Sequence, residues 1–382
     1  MFIRLRAVDN FFFRDAAPFD AGTDEKAVSL FPPLPSSYAG ALASFLTTSD
    51  SSDKPRIKIG FNGIVKDGQV HFPRPLDTKV IAAADDNGED AYFIQTLKKV
   101  KAPVSSCPLP DVLMTADTQR GEKDPPGTFF LKEQEMNAYL GKNSQTLVCV
   151  SLEEQICDQN KVAIRIDGES GNVVQGDMAQ IQMISPGAVE LLVEADPVKI
   201  ADHQSVKLGG ENRSASVQKM PGQPFNIRPG SGNRYFKLYL ATPALFKHGW
   251  FPGWLDPENF IGTFRYKKRM VKVRLICAAT GRPLAAGGFG FDKRAGKMQP
   301  RELRMAVPAG SVYYFELLEG DFETAVKLFH GRCVSDYREY YDPDRKIMLG
   351  FERPRQSFDR LLYCDRGFGY CFVGSVDEGG KK

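Results

Sequence analysis

The chain has 382 residues, of which 42% are hydrophobic and 25% are charged, as is typical of a globular protein long enough for two or three domains. It contains no apolar run of about 18 residues and no signal-peptide pattern at the N-terminus, so neither a membrane protein nor a secreted one is expected. The seven cysteines are odd in number and form no Cys-x-x-Cys pair. A disulfide framework and a zinc knuckle are therefore not predicted, and a reducing cytoplasm is the expected location.

The net charge of +3 conceals an asymmetry along the chain. Residues 1–232 hold 24 Lys and Arg against 30 Asp and Glu, whereas residues 233–382 hold 26 against 17. Basic residues cluster at 265–274 and again at 293–304. This distribution indicates that the C-terminal part contacts a large anion such as RNA, although a solvated charged surface is the alternative.

Hydrophobic patterns in the N-terminal part predict strands, one helix and two hairpins. These are a strand at 2–9, a helix from Ser36 to Phe45, a hairpin at 57–74 turning at Lys66-Asp-Gly68, a hairpin from Val162 turning through Gly168–Gly171, and strands near 179–195. Region 81–130 is polar and contains prolines, which predicts an irregular insertion. A Pro- and Gly-rich linker at 220–232 is the expected boundary between domains at 1–225 and 233–382.

The C-terminal part predicts the order β-α-β-β-α-β. Its predicted strands lie at 235–241, 270–278, 311–317 and 370–376, and its predicted helices open at Pro243–Phe246 and span 321–331. The glycine-rich segment 287–304 is expected to be a mobile loop. This order is a split βαβ unit, which leaves one face of an antiparallel sheet open.

The last predicted strand follows a glycine loop, Arg366-Gly-Phe-Gly369. A nucleotide-binding loop would carry Gly-Lys-Ser/Thr and lead into a helix, and neither feature is present. Two glycines beside an arginine instead let a polynucleotide backbone approach closely. A tight turn into the strand is the alternative interpretation.

Several segments occur together in an order found in one family. They are Phe12-Phe-Arg-Asp15, Leu30-Phe-Pro-Pro33 with Ser36 to Leu42, Phe72-Pro-Arg-Pro-Leu-Asp77, Leu208-Gly-Gly-Glu-Asn-Arg213, Leu240-Ala-Thr-Pro-Ala-Leu-Phe246, Ala306-Val-Pro-Ala-Gly-Ser-Val-Tyr-Tyr-Phe-Glu316 and the glycine loop. Over essentially its whole length the chain resembles the third RAMP-module subunits of type III-B CRISPR effectors, the Cmr complexes.

The resemblance implies an α+β protein with two ferredoxin-like (RRM-like) domains and loop insertions. It implies a non-catalytic subunit, with no cofactor or metal, that grips the 5′ handle of the CRISPR RNA. Target RNA, the large polymerase-domain subunit and the first backbone subunit are its further expected partners. The predicted RNA-binding residues are Arg14, Arg213, Lys267, Lys268, Arg269, Lys293, Arg294, Arg366, Gly367, Phe368 and Gly369. The alternatives are a structural turn for Glu211–Arg213, a local ion pair for Arg14 with Asp15, and a loop at 287–304 without contacts.

Two other functions stay open from the residues alone. A metal-independent RNA endonuclease needs an acid–base residue, and of the four histidines only His248 falls in a loop with aromatic neighbours. A scaffold that binds only proteins is the other alternative, because the acidic N-terminal half suits a basic partner surface. Charge reversal at 265–274 separates the scaffold from an RNA clamp.

Overall fold

The computed structural model describes residues 1–15, 26–46, 57–84, 90–101, 107–114, 124–141, 146–170, 172–196, 200–232, 234–266, 268–292, 296–300, 302–336 and 363–376. The architecture is α+β, rich in strands, with short helices. No helix in these ranges is both long and apolar enough to cross a membrane.

The elements of the N-terminal half follow in chain order. They are β1 (Phe2–Ala7), β2 (Lys26–Ala27), α1 (Pro35–Leu46), β3 (Lys58–Lys66), β4 (Gln69–Pro73), β5 (Thr78–Ala84), β6 (Asp90–Thr96), β7 (Lys98–Lys101), β8 (Asp111–Met114), β9 (Phe129–Lys132), α2 (Glu133–Leu140), β10 (Leu147–Ser151), β11 (Cys157–Ile166), β12 (Val173–Ser185), β13 (Glu190–Asp196), β14 (Ser205–Lys207) and β15 (Ser214–Met220).

Ten of these strands form one sheet, in the order β14-β15-β1-β13-β3-β4-β9-β10-β6-β5. Within it, β15-β1-β13-β3 is an antiparallel group in which the first strand along the chain lies between the fourth and the third. Because side chains alternate along a strand, Ile3 and Leu5 of β1 point to the same face. There they pack with Tyr38 and Leu42 of α1, and all four are fully buried.

Both predicted hairpins and the predicted helix in this half are confirmed. β3 pairs with β4 around a turn at Asp67 and Gly68, which both have positive φ as a type I′ turn requires. The second hairpin is the longer pair β11–β12. The helix predicted from Ser36 to Phe45 is α1.

The prediction of an irregular insertion at 81–130 is wrong for the described part of that region. β5 and β6 form a hairpin, and β6 pairs with β10, so that this hairpin extends the large sheet. β7 and β8 form a separate two-stranded ribbon. The polar composition misled the prediction because these strands lie at a sheet edge and in a ribbon, where many side chains meet water.

The elements of the C-terminal half follow after residue 232. They are β16 (Tyr235–Leu240), β17 (Ile261–Tyr266), β18 (Arg269–Ala279), β19 (Leu284–Ala286), β20 (Phe289–Asp292), β21 (Lys297–Pro300), β22 (Arg304–Ala306), β23 (Val312–Glu319), α3 (Phe322–Phe329), β24 (Arg332–Cys333), a 3₁₀ turn (Tyr363–Asp365) and β25 (Tyr370–Ser375).

Six of them form a second sheet, in the order β17-β18-β23-β16-β25-β24. Its central group, β18-β23-β16-β25, is antiparallel and again places the first strand of the group between the third and the fourth. The four predicted strands and the helix at 321–331 are confirmed. Asp321 caps α3 by accepting a hydrogen bond from the Thr324 N–H at 2.8 Å.

The short helix predicted to open at Pro243–Phe246 does not form. The Ala244 N–H and carbonyl bond to Val307, and the N–H groups of Lys247 and Gly253 donate to the Asp336 carboxylate. These long-range partners take the backbone groups that a helix would use for itself. Burial raises the pKa of Asp336 to about 6, against the lowering effect of these bonds.

The segment 287–304 was predicted to be a mobile loop, but its described residues include paired strands. β20 pairs with β21, and the flanking β19 pairs with β22, so its described residues form a two-stranded arm. Alternating glycine and aromatic residues there suit a hairpin as well as a loop, which is why composition alone misled.

The C-terminal sheet does not lie open on one face, contrary to the prediction. One face carries Phe236 and Phe315 and packs against α3 and the loop 241–260. Most of the other face, including Tyr239 and Phe372, packs against Phe72 and other apolar residues of the N-terminal half in a shared core. β25, and β23 from Val312 to Leu317, are therefore buried on both faces.

A buried polar cluster crosses this junction. Asp77 has no exposed surface, and it accepts hydrogen bonds from the hydroxyls of Tyr139 and Tyr314. The ammonium of Lys237, also buried, lies 3.9 Å from Asp77 Oδ2 and 3.5 Å from the centre of the Tyr139 ring. The cation and the hydroxyls together compensate the buried carboxylate.

Candidate nucleic-acid interface

The glycine loop lies where the two halves meet. Gly367 has a φ of +81°, and a Cβ on it would stand 2.7 Å from Ile59 Cγ2 and 2.8 Å from the carbonyl oxygen of Gly60. Its own carbonyl accepts hydrogen bonds from Thr242 Oγ1 at 2.7 Å and from Asn62 Nδ2 at 3.3 Å. Protein atoms of β3 thus fill the space that the missing side chain leaves.

The rest of the glycine loop also packs against protein. Phe368 is 2% exposed and clusters with Leu245, and Gly369 donates its N–H to the Pro243 carbonyl at 2.7 Å. Arg366 is partly exposed. RNA contact by this loop stays a prediction, and Arg366 provides its accessible side chain.

Arg213 lies in the turn between β14 and β15. Its guanidinium forms an ion pair with Asp9, and its Nη2 lies 3.2 Å from Met183 Sδ. In the same turn Gly210 donates its N–H to the Phe12 carbonyl at 2.7 Å. The turn is thereby tied to the first loop of the chain, and RNA contact by Arg213 stays a prediction.

Of the other predicted residues, the structure describes Arg14, Lys268 and Arg269. Arg14 is exposed and forms a backbone bridge with Ser29, far along the chain from the C-terminal cluster. Lys267, Lys293 and Arg294 lie outside the described residues. Lys268 is exposed where β17 turns into β18.

The structure gathers cations on the part of the C-terminal sheet that the N-terminal half leaves uncovered. Lys272 lies opposite Thr263, and Arg274 lies opposite Glu316, so these side chains share the face that farther along enters the central core. We call this surface the basic face. It consists of Arg234, Arg265, Lys268, Lys272 and Arg274. Arg269 lies on the opposite side of β18, where it is paired with Asp321 at 3.1 Å.

Glu316 lies at the centre of the basic face and is 3% exposed. Arg234 donates its Nε to Glu316 Oε1 at 2.9 Å, and Arg274 donates its Nε to Oε2 at 3.1 Å. Nη2 of each arginine binds the same oxygen as its Nε. Burial acts to raise the pKa of Glu316, but the hydrogen bonds from Arg274 and Arg234 outweigh it and hold the pKa below its usual value.

An aromatic side chain borders this cluster. Tyr235 lies opposite Glu316 in the pairing of β16 with β23, and is partly buried. The Lys99 ammonium lies 4.6 Å from the centre of its ring, and the Arg234 guanidinium lies 5.8 Å from it. Lys99 belongs to β7 of the N-terminal half, so both halves contribute cations here.

Sequence reasoning found the cluster at 265–274 but missed Arg234, Tyr235, Lys99 and Glu316. These residues are far apart along the chain, and only the register of β16, β18 and β23 brings them together. A usable signal was the single charge in Tyr313-Tyr-Phe-Glu316, since a carboxylate within a buried strand requires a cation beside it.

His330 and His248 contact backbone groups or an aromatic ring of the protein. His330 Nε2 lies 2.9 Å from the Ile227 carbonyl oxygen, and its Nδ1 accepts a hydrogen bond from the Val373 N–H at 3.2 Å. Burial is the main cause that lowers the pKa of both His330 and His71. His248 stacks on Phe251 at 5.0 Å. In the part of the chain that the structure describes, no group of three or more His, Cys, Asp or Glu residues is arranged to hold a metal ion.

Comparison with known families decides the identity of the chain. The model of the family described as CRISPR-associated protein (Cas_Cmr3) matches residues 3–339. The chain belongs to the Cas_Cmr3 family. The resemblance drawn from the sequence motifs is thereby confirmed. No curated protein matches the chain.

Comparison with solved structures finds matches to chains of two cryo-EM structures of type III-B Cmr-beta. The first, bound to cognate target RNA and AMPPnP in state 1, has a TM-score of 0.47 and 14% identity, with 82% of this chain and 86% of that chain covered. The second, bound to cognate target RNA, has a TM-score of 0.46 and 14% identity, with the same coverage.

The segments that carry the family resemblance contact one another. The Leu76 N–H donates to the Gly310 carbonyl at 2.8 Å, which joins the segments 72–77 and 306–316. The segment 208–213 rests on Phe12. The segment 240–246 meets the glycine loop through Thr242. In this Cas_Cmr3 protein the motif segments therefore join distant parts of the fold.

Proposed function

We propose that this chain is a structural RNA-binding subunit of a type III-B CRISPR effector complex, and that the basic face holds the 5′ handle of the CRISPR RNA. The observation that carries the proposal is membership of the Cas_Cmr3 family over residues 3–339. The basic face supplies a surface on this chain suited to a polyanion.

Single-stranded RNA fits the chemistry of this surface. Proteins hold such strands by cations along the sugar–phosphate backbone and by aromatic rings beside the bases. The side chains of Arg234 and Arg274 are 64% and 46% exposed, and Tyr235 lies between Arg234 and Lys99. Binding here depends on charge and shape and requires no reaction.

The strand orders support two ferredoxin-like units, with the bounds 1–225 and 233–382. Each half contains an antiparallel group with its first strand between its third and fourth, as in a split βαβ unit. Each retains one of the two expected helices, α1 in the N-terminal unit and α3 in the C-terminal unit. Phe225 and Ile227 of the connection between them are buried in the shared core.

A rigid subunit of this kind sets the register of the guide by fixing its first nucleotides. In the proposed complex it contacts the large polymerase-domain subunit and the first backbone subunit. Holding the handle beside the large subunit couples pairing with the target RNA to activation of that subunit.

A scaffold that binds only proteins is the second candidate. β11 favours it, because Val162 and Ile164, on one side of the strand, are 56% and 51% exposed, and Ile166, beyond a shift in register, is 59% exposed. Apolar side chains aligned in this way are typical of a surface that meets another protein.

Fluorescence anisotropy with CRISPR RNA that bears or lacks the 5′ handle tests the proposal. The chain is assembled with its large partner subunit, and binding is measured at two salt concentrations. Replacing Arg265, Lys268 and Lys272 by Glu is expected to weaken handle-dependent binding about tenfold or more, because three attractive phosphate contacts become repulsive.

The matched control reverses three exposed cations of the N-terminal sheet, Arg6, Lys207 and Lys219. It changes the net charge equally and is expected to leave handle binding nearly unchanged. If both triple variants bind as the wild type does, the RNA contacts belong to other subunits and the scaffold is favoured.

A further inference from the structure

The two arginines beside Glu316 are held in a defined geometry. Each uses its Nε–Nη2 edge to bind one oxygen of the same carboxylate, so the two guanidinium groups flank Glu316 on either side. The carboxylate is buried, whereas large fractions of the Arg234 and Arg274 side chains are exposed. The cationic groups thus reach solvent while a buried anion fixes their position.

The cluster carries more positive charge than its carboxylate requires. Glu316 contributes one negative charge and the arginines contribute two positive charges, so the carboxylate can neutralise only one of the two guanidinium groups. Lys99, beside Tyr235, comes from the other half of the chain and is itself paired with Asp111 at 3.5 Å, so it adds no net charge. A paired and oriented set of guanidinium groups binds phosphate oxygens in a directed way that mobile lysines do not.

We infer that Arg234 and Arg274 form a clamp for one phosphodiester group of RNA, with Glu316 as the residue that positions both guanidinium groups. This inference rests on the proposed function and deepens it, because it assigns one RNA phosphate to a defined pair of side chains. Tyr235 and Lys99 border the clamp on the side where the adjoining nucleotide lies.

The positioning role has a consequence opposite in sign to that of charge alone. Glu316→Gln removes a negative charge from the basic face, so simple electrostatics requires RNA to bind more tightly. Gln presents one acceptor oxygen in place of two and no charge, so at least one arginine loses its fixed orientation. A positioned clamp therefore requires RNA to bind more weakly, because ordering that side chain then occurs on binding.

The test measures binding of a CRISPR RNA with its 5′ handle to the full-length chain assembled with its large partner subunit. Glu316→Gln is expected to weaken binding about fivefold, although the positive charge increases. Unchanged or tighter binding by this variant overturns the clamp. Circular dichroism and thermal melting establish that the variant is folded.

The single variants Arg234→Ala and Arg274→Ala provide a second, independent measurement, because both side chains are largely exposed and their loss leaves Glu316 one arginine. Each is expected to reduce the slope of log K against log salt by about 0.7, the value for one single-strand phosphate contact. The double variant should lose little more than either single variant, since both act on one phosphate. Fully additive losses, or losses equal to that of the remote control Arg6→Ala, contradict a shared clamp.

Neutral methylphosphonate linkages placed singly along the handle locate the phosphate. When the neutral linkage replaces the clamped phosphate, the wild type and Arg274→Ala should bind that RNA with equal affinity. The RNA then lacks the charge that Arg274 contacts, so removing Arg274 has no further effect. No such position means that the cluster binds free phosphate or none, and the inference fails. If the wild type does not distinguish handle-bearing RNA and the Arg265/Lys268/Lys272 reversal has no effect, the proposed function itself fails.

Discussion

Two ends of one sheet face make use of a buried carboxylate in different ways. At the covered end Asp77, with no exposed surface, is compensated by Lys237, whose side chain is 5% exposed, and by two tyrosine hydroxyls. At the uncovered end Glu316, 3% exposed, is compensated by Arg234 and Arg274, whose side chains are 64% and 46% exposed. Both carboxylates are paired, yet only one pairing leaves its cations accessible.

The difference shows how the same pair chemistry separates a structural role from a binding role. A cation enclosed with its carboxylate orients two parts of the fold and offers nothing to a ligand. A cation that shares a buried carboxylate but reaches water is oriented and still able to bind an anion. Burial of the cation, and not of the carboxylate, distinguishes the two cases.

Removing the two carboxylates should therefore affect stability very unequally. Asp77→Ala leaves the buried charge of Lys237 without its carboxylate and is expected to cost about 3–5 kcal/mol. Glu316→Ala should cost about 1 kcal/mol, because its exposed arginines regain hydration. Urea unfolding of both variants measures these values, and equal losses would show that the two ends are not distinct.

The glycine loop gives the next largest expected effect. Gly367→Ala adds a Cβ against the Gly60 carbonyl at a positive φ, and strain plus overpacking should cost about 2–4 kcal/mol. Gly68→Ala is the matched control, since φ there is +74° with no atom within 4 Å of the added Cβ, and about 1 kcal/mol of strain is expected. The difference between the two losses of unfolding free energy isolates the packing of Gly367 at the junction of the two halves. A difference near zero would show that the glycine loop does not pack tightly against β3.

Regular alternation and clear caps made most elements predictable, including β1, α1, the β3–β4 hairpin and α3 with Asp321. The sequence also indicated that the C-terminal sheet is covered on both faces. Val312-Tyr-Tyr-Phe-Glu-Leu317 is almost continuously apolar, which indicates burial on both faces, and not the alternation of a half-exposed strand. The split βαβ order led to the prediction of an open face, although the nearly continuous apolar run at 312–317 indicated a covered one.

The composition of the interface could be predicted only in part. Arg265, Lys272 and Arg274 lie within ten residues and were visible as a cluster. Arg234 and Lys99 join them through strand register and through a ribbon in the other half, neither of which local patterns encode. The glycines at 367 and 369 did indicate close approach, but sequence does not specify what approaches, and the structure places protein there.

A smaller effect on stability, caused in part by His330, should appear as the pH is lowered. His330 is held neutral, its lowered pKa being caused chiefly by burial, so the unfolded chain binds more protons below about pH 6.5. Stability should then fall as the pH decreases through that value, and His330→Gln should reduce this dependence. The contributions of His71, whose pKa burial also lowers, and of Asp336, with a pKa of about 6, are present in both proteins and cancel in their difference.

Urea unfolding at pH 7.5 and 5.5 measures this effect, and a wild-type dependence identical to that of His330→Gln contradicts it. At the uncovered end the pKa of Glu316 is lowered, so the clamp stays ionised over the same range. RNA affinity per folded molecule should therefore change little between the two pH values.

The smallest expected effect marks where the basic face ends. Arg265 lies on that face, whereas Arg269, at the start of β18, is already paired with Asp321 at 3.1 Å beside the N-terminus of α3. Arg265→Ala should reduce the salt slope of RNA binding by about 0.7. Arg269→Ala should reduce it less and should cost under about 1 kcal/mol of stability, since an exposed ion pair contributes little. Equal salt slopes for the two variants would show that RNA also contacts the β17–β18 hairpin on the side of α3. A larger effect of Arg269→Ala would show that RNA does not lie over the uncovered end of the sheet.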